Sequence, residues 1–117
     1  SWKNYYAHSK LANGLFSLEL SKRLRGTSAT SNCLTPGAVD TNIRRHLSKD
    51  DWPDQLKSAA EGAATVCYVA TDPSLAKVTG EYFKDCGPAP QSAYQTDAAM
   101  AKKLWEVSTE LTRKSIS

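Results

Sequence analysis

Tyr6 and Lys10 are the residues of this 117-residue chain whose types and spacing best fit a chemical role. They lie four positions apart in a segment that predicts a helix, so both side chains project from one helical face. A tyrosine phenol ordinarily titrates at about pH 10, and a neighbouring ammonium group favours its ionised form. The pair therefore predicts an acid/base couple for proton transfer. The same spacing is also common on helix surfaces that have no chemical role.

The segment Pro-Gly-Ala-Val-Asp-Thr, residues 36–41, is the second candidate for chemistry. It follows a stretch that predicts a strand, and in open parallel sheets ligands bind beyond the carboxyl ends of the strands. Gly37 allows the backbone to come close to a flat ring, and Pro36 fixes the angle at which the chain enters the loop. Taken alone, a Pro-Gly pair indicates only a turn.

In combination, these segments resemble the short-chain dehydrogenase/reductase family. Residues 6–13, Tyr-Ala-His-Ser-Lys-Leu-Ala-Asn, resemble its Tyr-x-x-x-Lys signature, with the ending found in retinol-dehydrogenase-like and WW-domain-oxidoreductase-like members. Residues 36–41 resemble the Pro-Gly loop that faces the nicotinamide. Residues 61–73 resemble the family's penultimate helix, and residues 79–83, Thr-Gly-Glu-Tyr-Phe, resemble its final parallel strand.

The resemblance implies roles for six residues. Tyr6 would be the catalytic acid and base, and Lys10 would assist Tyr6 and hydrogen-bond the nicotinamide ribose. The backbone of Val39 and the hydroxyl of Thr41 would hold the nicotinamide carboxamide. The implied cofactor is NADP or NAD, with NADP favoured by the likeness, and no metal is expected. The implied cofactor-binding set is Tyr6, Lys10, Pro36, Gly37, Val39 and Thr41.

The elements that must position these residues follow an α/β pattern. Residues 4–25 predict one long helix with two apolar stripes, which indicates that one face packs against a sheet and the other against a second helix. That second helix belongs either to this chain or to a partner subunit. Residues 27–34 and 78–85 predict strands. A capping-box pattern at residues 58–61 predicts the start of a helix that runs to about residue 70, is apolar nearly all round and should be buried. Residues 98–112 predict a last helix that docks on the domain.

The connecting segments carry weaker signals. Residues 42–57 are polar, weakly periodic and contain a proline, so they predict a loop with short helical pieces, which the resemblance makes the substrate lid. His46 and Trp52 lie in this segment; we expect both at the surface and assign neither a role. Residues 87–90, Gly-Pro-Ala-Pro, predict a linker. Gly14, within the first helix, indicates either the close approach of another backbone or a tolerated local defect.

Composition narrows the class of protein. The net charge of +3 comes from small basic clusters separated by neutral or acidic stretches, which indicates solvated helix faces and ends rather than a nucleic-acid surface. No apolar run approaches the roughly 18 residues that a membrane-spanning helix needs, and no signal peptide is visible. Cys33, Cys67 and Cys86 lack metal-binding spacing and predict free, buried thiols in a reducing compartment. We expect a cytoplasmic location, although any targeting segment would lie in the missing N-terminal part.

The predicted fold class is α/β: residues 1–117 form the C-terminal half of a Rossmann-like doubly wound parallel sheet, with two strands and three main helices, within a single domain. The six glycines form no phosphate-cradling loop, so we expect the N-terminal dinucleotide-binding half and the family's catalytic serine to lie upstream. Two strands make a poor parallel sheet. We therefore predict that the isolated chain neither folds stably nor turns over.

The implied function is that of an NAD(P)-dependent oxidoreductase, in which hydride passes between the nicotinamide and a small apolar carbonyl or alcohol while Tyr6 exchanges the proton. The alternative is a truncated, non-catalytic chain whose helix at residues 4–25 is a subunit-pairing or regulatory surface. Under either interpretation, that helix is a candidate interface for a homodimer.

Overall fold

The fold is a small α/β arrangement, seen in a computed structural model that describes residues 1–116. Three helices surround one three-stranded sheet, and short 3-10 helices occupy the connections. The α/β class and the three main helices are therefore confirmed. The elements, in chain order, are α1 (Trp2–Arg23), β1 (Cys33–Leu34), α2 (Ala59–Thr71), β2 (Tyr82–Lys84), β3 (Gly87–Pro88) and α3 (Ala98–Ile116).

The sheet is mixed, with β2 in its centre. β1 pairs with β2 in parallel, Leu34 opposite Phe83, as the α/β pattern predicts, whereas β3 pairs with β2 antiparallel. The prediction of two strands was wrong because the Gly-Pro segment taken for a linker forms β3. A two-residue turn at Asp85 and Cys86, both with φ near +50°, reverses the chain onto β2. Neither residue is a glycine, so the usual hairpin signal is missing.

The two predicted strands are shorter than expected because side chains replace part of the ladder. The backbone N–H of Ser31 donates to the hydroxyl of Thr79, and the side-chain amide of Asn32 donates to the carbonyl of Val78. The N–H of Gly80 then donates to the carbonyl of Ser31. These bonds hold the two segments side by side without regular strand geometry, as small polar side chains commonly do.

Helix α1 packs on the sheet and on α3, so the second helix that its apolar stripes require belongs to the same chain. Its face towards the sheet is made of small residues: the hydroxyls of Ser17 and Ser31 lie 2.9 Å apart. Towards α3, the ring of Phe16 stacks on that of Trp105, with 5.3 Å between the centroids. The buried apolar residues of the described chain are Leu15, Phe83 and Ala101.

Helix α2 begins as predicted and is buried less than predicted. Ser58 and Glu61 form the complete capping box, each side chain bonding the other's backbone N–H. Only Gly62 and Thr65 are buried, so the prediction of a buried helix was wrong for residues 1–116. The short sheet covers one side of the helix, and the opposite side faces solvent. The exposed apolar residues of α2 are Ala59, Ala60, Ala63, Ala64, Val66, Cys67 and Ala70.

The segment between the sheet and α2 has the predicted loop character, with 3-10 helices at Asn42–His46 and Lys49–Asp51. An ion pair between Lys3 and Asp51 ties it to the first turn of α1.

None of the helices described in residues 1–116 is long and apolar enough to cross a membrane. The three cysteines are free, as expected, but the prediction that they are buried was wrong: Cys67 and Cys86 are exposed, and Cys33 is half-buried.

Candidate active site

Tyr6 and Lys10 project from the first half of α1, where every residue up to Lys10 is exposed. The Lys10 ammonium lies 5.4 Å from the centroid of the Tyr6 ring, so the spacing brings the two side chains together as predicted. Ser9 donates its hydroxyl to the Tyr6 carbonyl within the helix. The Tyr6 side chain is half exposed, and its phenol is therefore open to a bound molecule.

The Pro-Gly loop follows β1 directly, which brings it to the carboxyl end of the parallel strands. Gly37 has φ +81°, a backbone conformation that favours glycine, and its N–H donates to the hydroxyl of Thr35. A cleft of about 660 Å³ separates this loop from α1. Tyr6, Lys10, Pro36 and Gly37 all line it, so four of the six predicted site residues meet in one cleft.

Val39 and Thr41 lie further along the loop and do not line this cleft. The backbone groups on either side of Val39 pair with Lys57, so its own N–H and C=O face the other way. Neither makes a hydrogen bond within residues 1–116, and the same holds for the Thr41 hydroxyl. The Val39 side chain packs on Gly62 of α2. Polar groups of both residues are thus available to a ligand, beside the cleft rather than in its wall.

A second cleft, of about 450 Å³, lies on the other side of Tyr6. Tyr6 and Gly37 line both clefts, whereas Lys10 lines only the larger one. The walls of the smaller cleft come from the start of α1 and from the predicted lid, and they are largely apolar. The lid residues that line it are Ile43, Leu47, Asp51, Trp52 and Pro53.

Trp52 is a lining residue that the sequence analysis left without a role. It is half-buried rather than at the surface, and its indole N–H is buried without a hydrogen-bond partner in the described chain. An aromatic residue in an otherwise polar segment is the signal that could have identified it, because aromatic side chains are enriched in ligand pockets. His46 is exposed and does not line this cleft, as expected.

Charges around the clefts are few. Cys33 lies in the wall of the larger cleft, and burial raises the pKa of its thiol, which keeps it neutral. Lys57 forms an ion pair with Asp85 beside the Pro-Gly loop. The Lys57 ammonium, by its hydrogen bond and then by its charge, lowers the pKa of the Asp85 carboxyl below its ordinary value.

Known proteins are similar in sequence to this chain over most of its length. The chain is 41% identical to short-chain dehydrogenase TIC 32 A, chloroplastic, of Brassica napus, over 95% of this chain and 37% of that protein. It is 40% identical to human retinol dehydrogenase 14 over 88% of this chain and 33% of the relative. It is also 40% identical to mouse retinol dehydrogenase 11, over 91% and 35% of the respective chains.

These similarities confirm the resemblance found in the motifs. Over about nine-tenths of its length the chain is similar to short-chain dehydrogenases, several of which are named as retinol dehydrogenases. It spans about a third of the length of these relatives. No protein-family model matches the chain. No solved structure matches it either.

Proposed function

We propose that the full-length protein is an NAD(P)-dependent oxidoreductase that transfers hydride between a nicotinamide and an apolar carbonyl or alcohol, with Tyr6 as general acid and base. One observation carries the proposal: Tyr6 stands at the boundary of two clefts and lines both. A proton donor at that boundary can reach a substrate in one cleft while the substrate reacts with a ring held in the other. Geometry of this kind is the first requirement for a general acid.

The larger cleft and the Pro-Gly loop fit the nicotinamide end of such a cofactor. A carboxamide carries one oxygen acceptor and an N–H donor group, and the unpaired N–H and C=O of Val39 with the Thr41 hydroxyl offer complementary partners. The chain's glycines form no phosphate cradle, so the fit covers the nicotinamide end alone. NADP is the favoured form of the cofactor. When bound, the nicotinamide supplies or takes up the hydride.

Tyr6 performs the proton transfer. In the reducing direction its hydroxyl donates to the carbonyl oxygen of a substrate in the smaller cleft, and in the oxidising direction it accepts the proton of the alcohol. The Lys10 ammonium, 5.4 Å from the Tyr6 ring centroid, stabilises the negative charge that develops on the phenol oxygen. Because an ammonium group has three donors, Lys10 can hold a ribose hydroxyl at the same time.

The smaller cleft favours an apolar substrate. Its lid wall carries Ile43, Leu47 and Trp52, which would bury hydrocarbon and exclude water from the reacting oxygen. The names of two relatives refer to retinol, an apolar primary alcohol, which is consistent with this substrate class.

A cytoplasmic location and a homodimer through residues 4–25 stay predictions. Helix α3 already covers part of the helix that would form the dimer interface.

The test is turnover of the full-length protein with NADPH and NADH and a panel of apolar aldehydes. Tyr6→Phe removes only the hydroxyl, so kcat should fall on the order of 10²–10⁴-fold while the protein stays folded. Tyr5→Phe is the matched control, because Tyr5 is exposed and lines neither cleft. Near-normal turnover by the Tyr6→Phe protein would refute the assignment.

A further inference from the structure

Lys57 holds the Pro-Gly loop through its backbone. Its N–H donates to the carbonyl of Ala38, and its carbonyl accepts from the N–H of Asp40, both at 2.9 Å. These bonds form one parallel bridge between the loop and the residue just before the capping box of α2. The loop after β1 is therefore supported by the start of the next helix, and not by the sheet alone.

The side chain of Lys57 also lies against the loop. A Cβ built on Gly37 would come within 3.1–3.4 Å of the last three atoms of the Lys57 side chain. The stem and ammonium of Lys57 thus run along the α-carbon of Gly37. The ammonium then reaches Asp85 in the turn between β2 and β3 and forms an ion pair with its carboxylate.

Asp85 is a fixed partner because its turn is attached to α2. The next residue, Cys86, donates its backbone N–H to the hydroxyl of Thr65 at 3.1 Å. Thr65 is buried, with 1% of its surface exposed. The two-residue turn has positive φ at both positions, which defines a tight hairpin. An exposed ion pair between two mobile side chains is weak, but here one partner is anchored by the backbone.

We propose that Lys57 is a positioning residue, whose ion pair with Asp85 holds Gly37 at the boundary between the two clefts. Lys57 lines neither cleft, so it acts through the loop and does not touch substrate. The catalytic consequence rests on the proposed function: a loosened loop holds the nicotinamide end less well, so KM for the cofactor rises and kcat changes little. The structural consequence, a more mobile loop, does not depend on that function.

The experiment compares Lys57→Met, Asp85→Asn and the double variant with the wild-type full-length protein. Methionine keeps an unbranched stem against Gly37 and removes the charge. Hydrogen exchange in residues 36–41 should accelerate by roughly two- to fivefold in each single variant, with KM for NADPH raised by a similar factor. The double variant should match the single ones, because one interaction is lost in all three.

Lys102→Met is the control, since Lys102 pairs with Glu106 on the exposed side of α3 and is remote from the loop. It should leave both readouts at the wild-type value. Unchanged exchange in Lys57→Met and Asp85→Asn would overturn the proposal, as would additive effects in the double variant. If Lys57→Met fails to fold, Asp85→Asn decides the matter with the lysine still present. A wild-type protein that turns over with neither nucleotide defeats the proposed function, while the exchange data still decide the role of Lys57.

Discussion

The two halves of α1 differ in what surrounds them. Residues 1–10, which carry Tyr6 and Lys10, are exposed throughout, whereas residues 11–23 contain the buried positions of the helix. The second half packs on the sheet through small side chains and on α3 through the stacked rings of Phe16 and Trp105. One rigid helix therefore separates the residues proposed for chemistry from the residues that hold them in place. Changes to Tyr6 and Lys10 in the first half should alter activity, and changes to the buried residues of the second half should alter stability.

Leu15→Ala should have the largest effect on stability. The side chain is 4% exposed, and its truncation removes buried apolar contacts and leaves a cavity, which typically costs about 2–5 kcal/mol of unfolding free energy. Tyr5→Ala, in the exposed half, should change the unfolding free energy by less than about 0.5 kcal/mol. Urea unfolding of the full-length protein measures both. Equal destabilisation by the two variants would erase the distinction between the halves.

Two glycines at helical positions allow a second comparison, between a helix position crowded by a neighbouring side chain and one with free space around it. A Cβ on Gly62 would lie 2.5 Å and 2.8 Å from the two γ-carbons of Val39, so Gly62→Ala should overpack α2 against the loop and cost about 1–3 kcal/mol. On Gly14 the nearest atom to a Cβ is the Cys33 sulfur at 4.0 Å, so Gly14→Ala should stabilise α1 by up to about 1 kcal/mol.

Thermal unfolding of the two alanine variants distinguishes these outcomes, because the same chemical change should move the midpoint in opposite directions. A midpoint that rises in both variants would mean that Val39 moves aside at little cost and does not restrain α2. Gly62→Ala should also loosen the proposed carboxamide contact, because the Val39 backbone would have to shift with its side chain.

These glycines also mark how far the sequence could predict the fold. Gly14 drew attention because a glycine inside a helix is costly, yet no other backbone of residues 1–116 comes within 4 Å of its Cβ position, so it is a tolerated defect. Of these two glycines, Gly62 is the one that a neighbouring side chain approaches closely, and the sequence alone could not identify it. Its partner is Val39, more than twenty residues earlier, and the contact depends on the parallel bridge between the loop and Lys57.

Local signals were predicted well, and contacts distant in sequence were not. The capping box at Ser58 and the i, i+4 pair of Tyr6 and Lys10 depend on neighbours within one helical turn, and both form as expected. Strand β3 was missed because two non-glycine residues adopt positive φ in its turn. The lining role of Trp52 was missed because it depends on the ion pair that folds the lid segment onto α1.

The smallest predicted effect is a pH dependence at the start of α2. The backbone N–H of Ser58, helped by its hydroxyl, holds the pKa of Glu61 below its ordinary value of 4.5. A carboxyl group whose pKa is lowered on folding stabilises the folded state above its unfolded pKa, and that contribution is lost as the pH falls through the folded value. The stabilisation should therefore be complete at pH 7 and decline below about pH 4.5.

Glu61→Gln isolates this contribution, because glutamine can still accept the Ser58 bond but stays neutral at every pH. At pH 7 the variant should be less stable, since it lacks the charge that favours a helix N-terminus. The difference in unfolding free energy between the two proteins should shrink as the pH is lowered, because protonation makes the wild-type side chain neutral as well. A difference that stays constant from pH 7 to pH 3 would mean that the capping box acts through shape alone. The charge of Glu61 would then contribute nothing to holding the helix that supports the Pro-Gly loop.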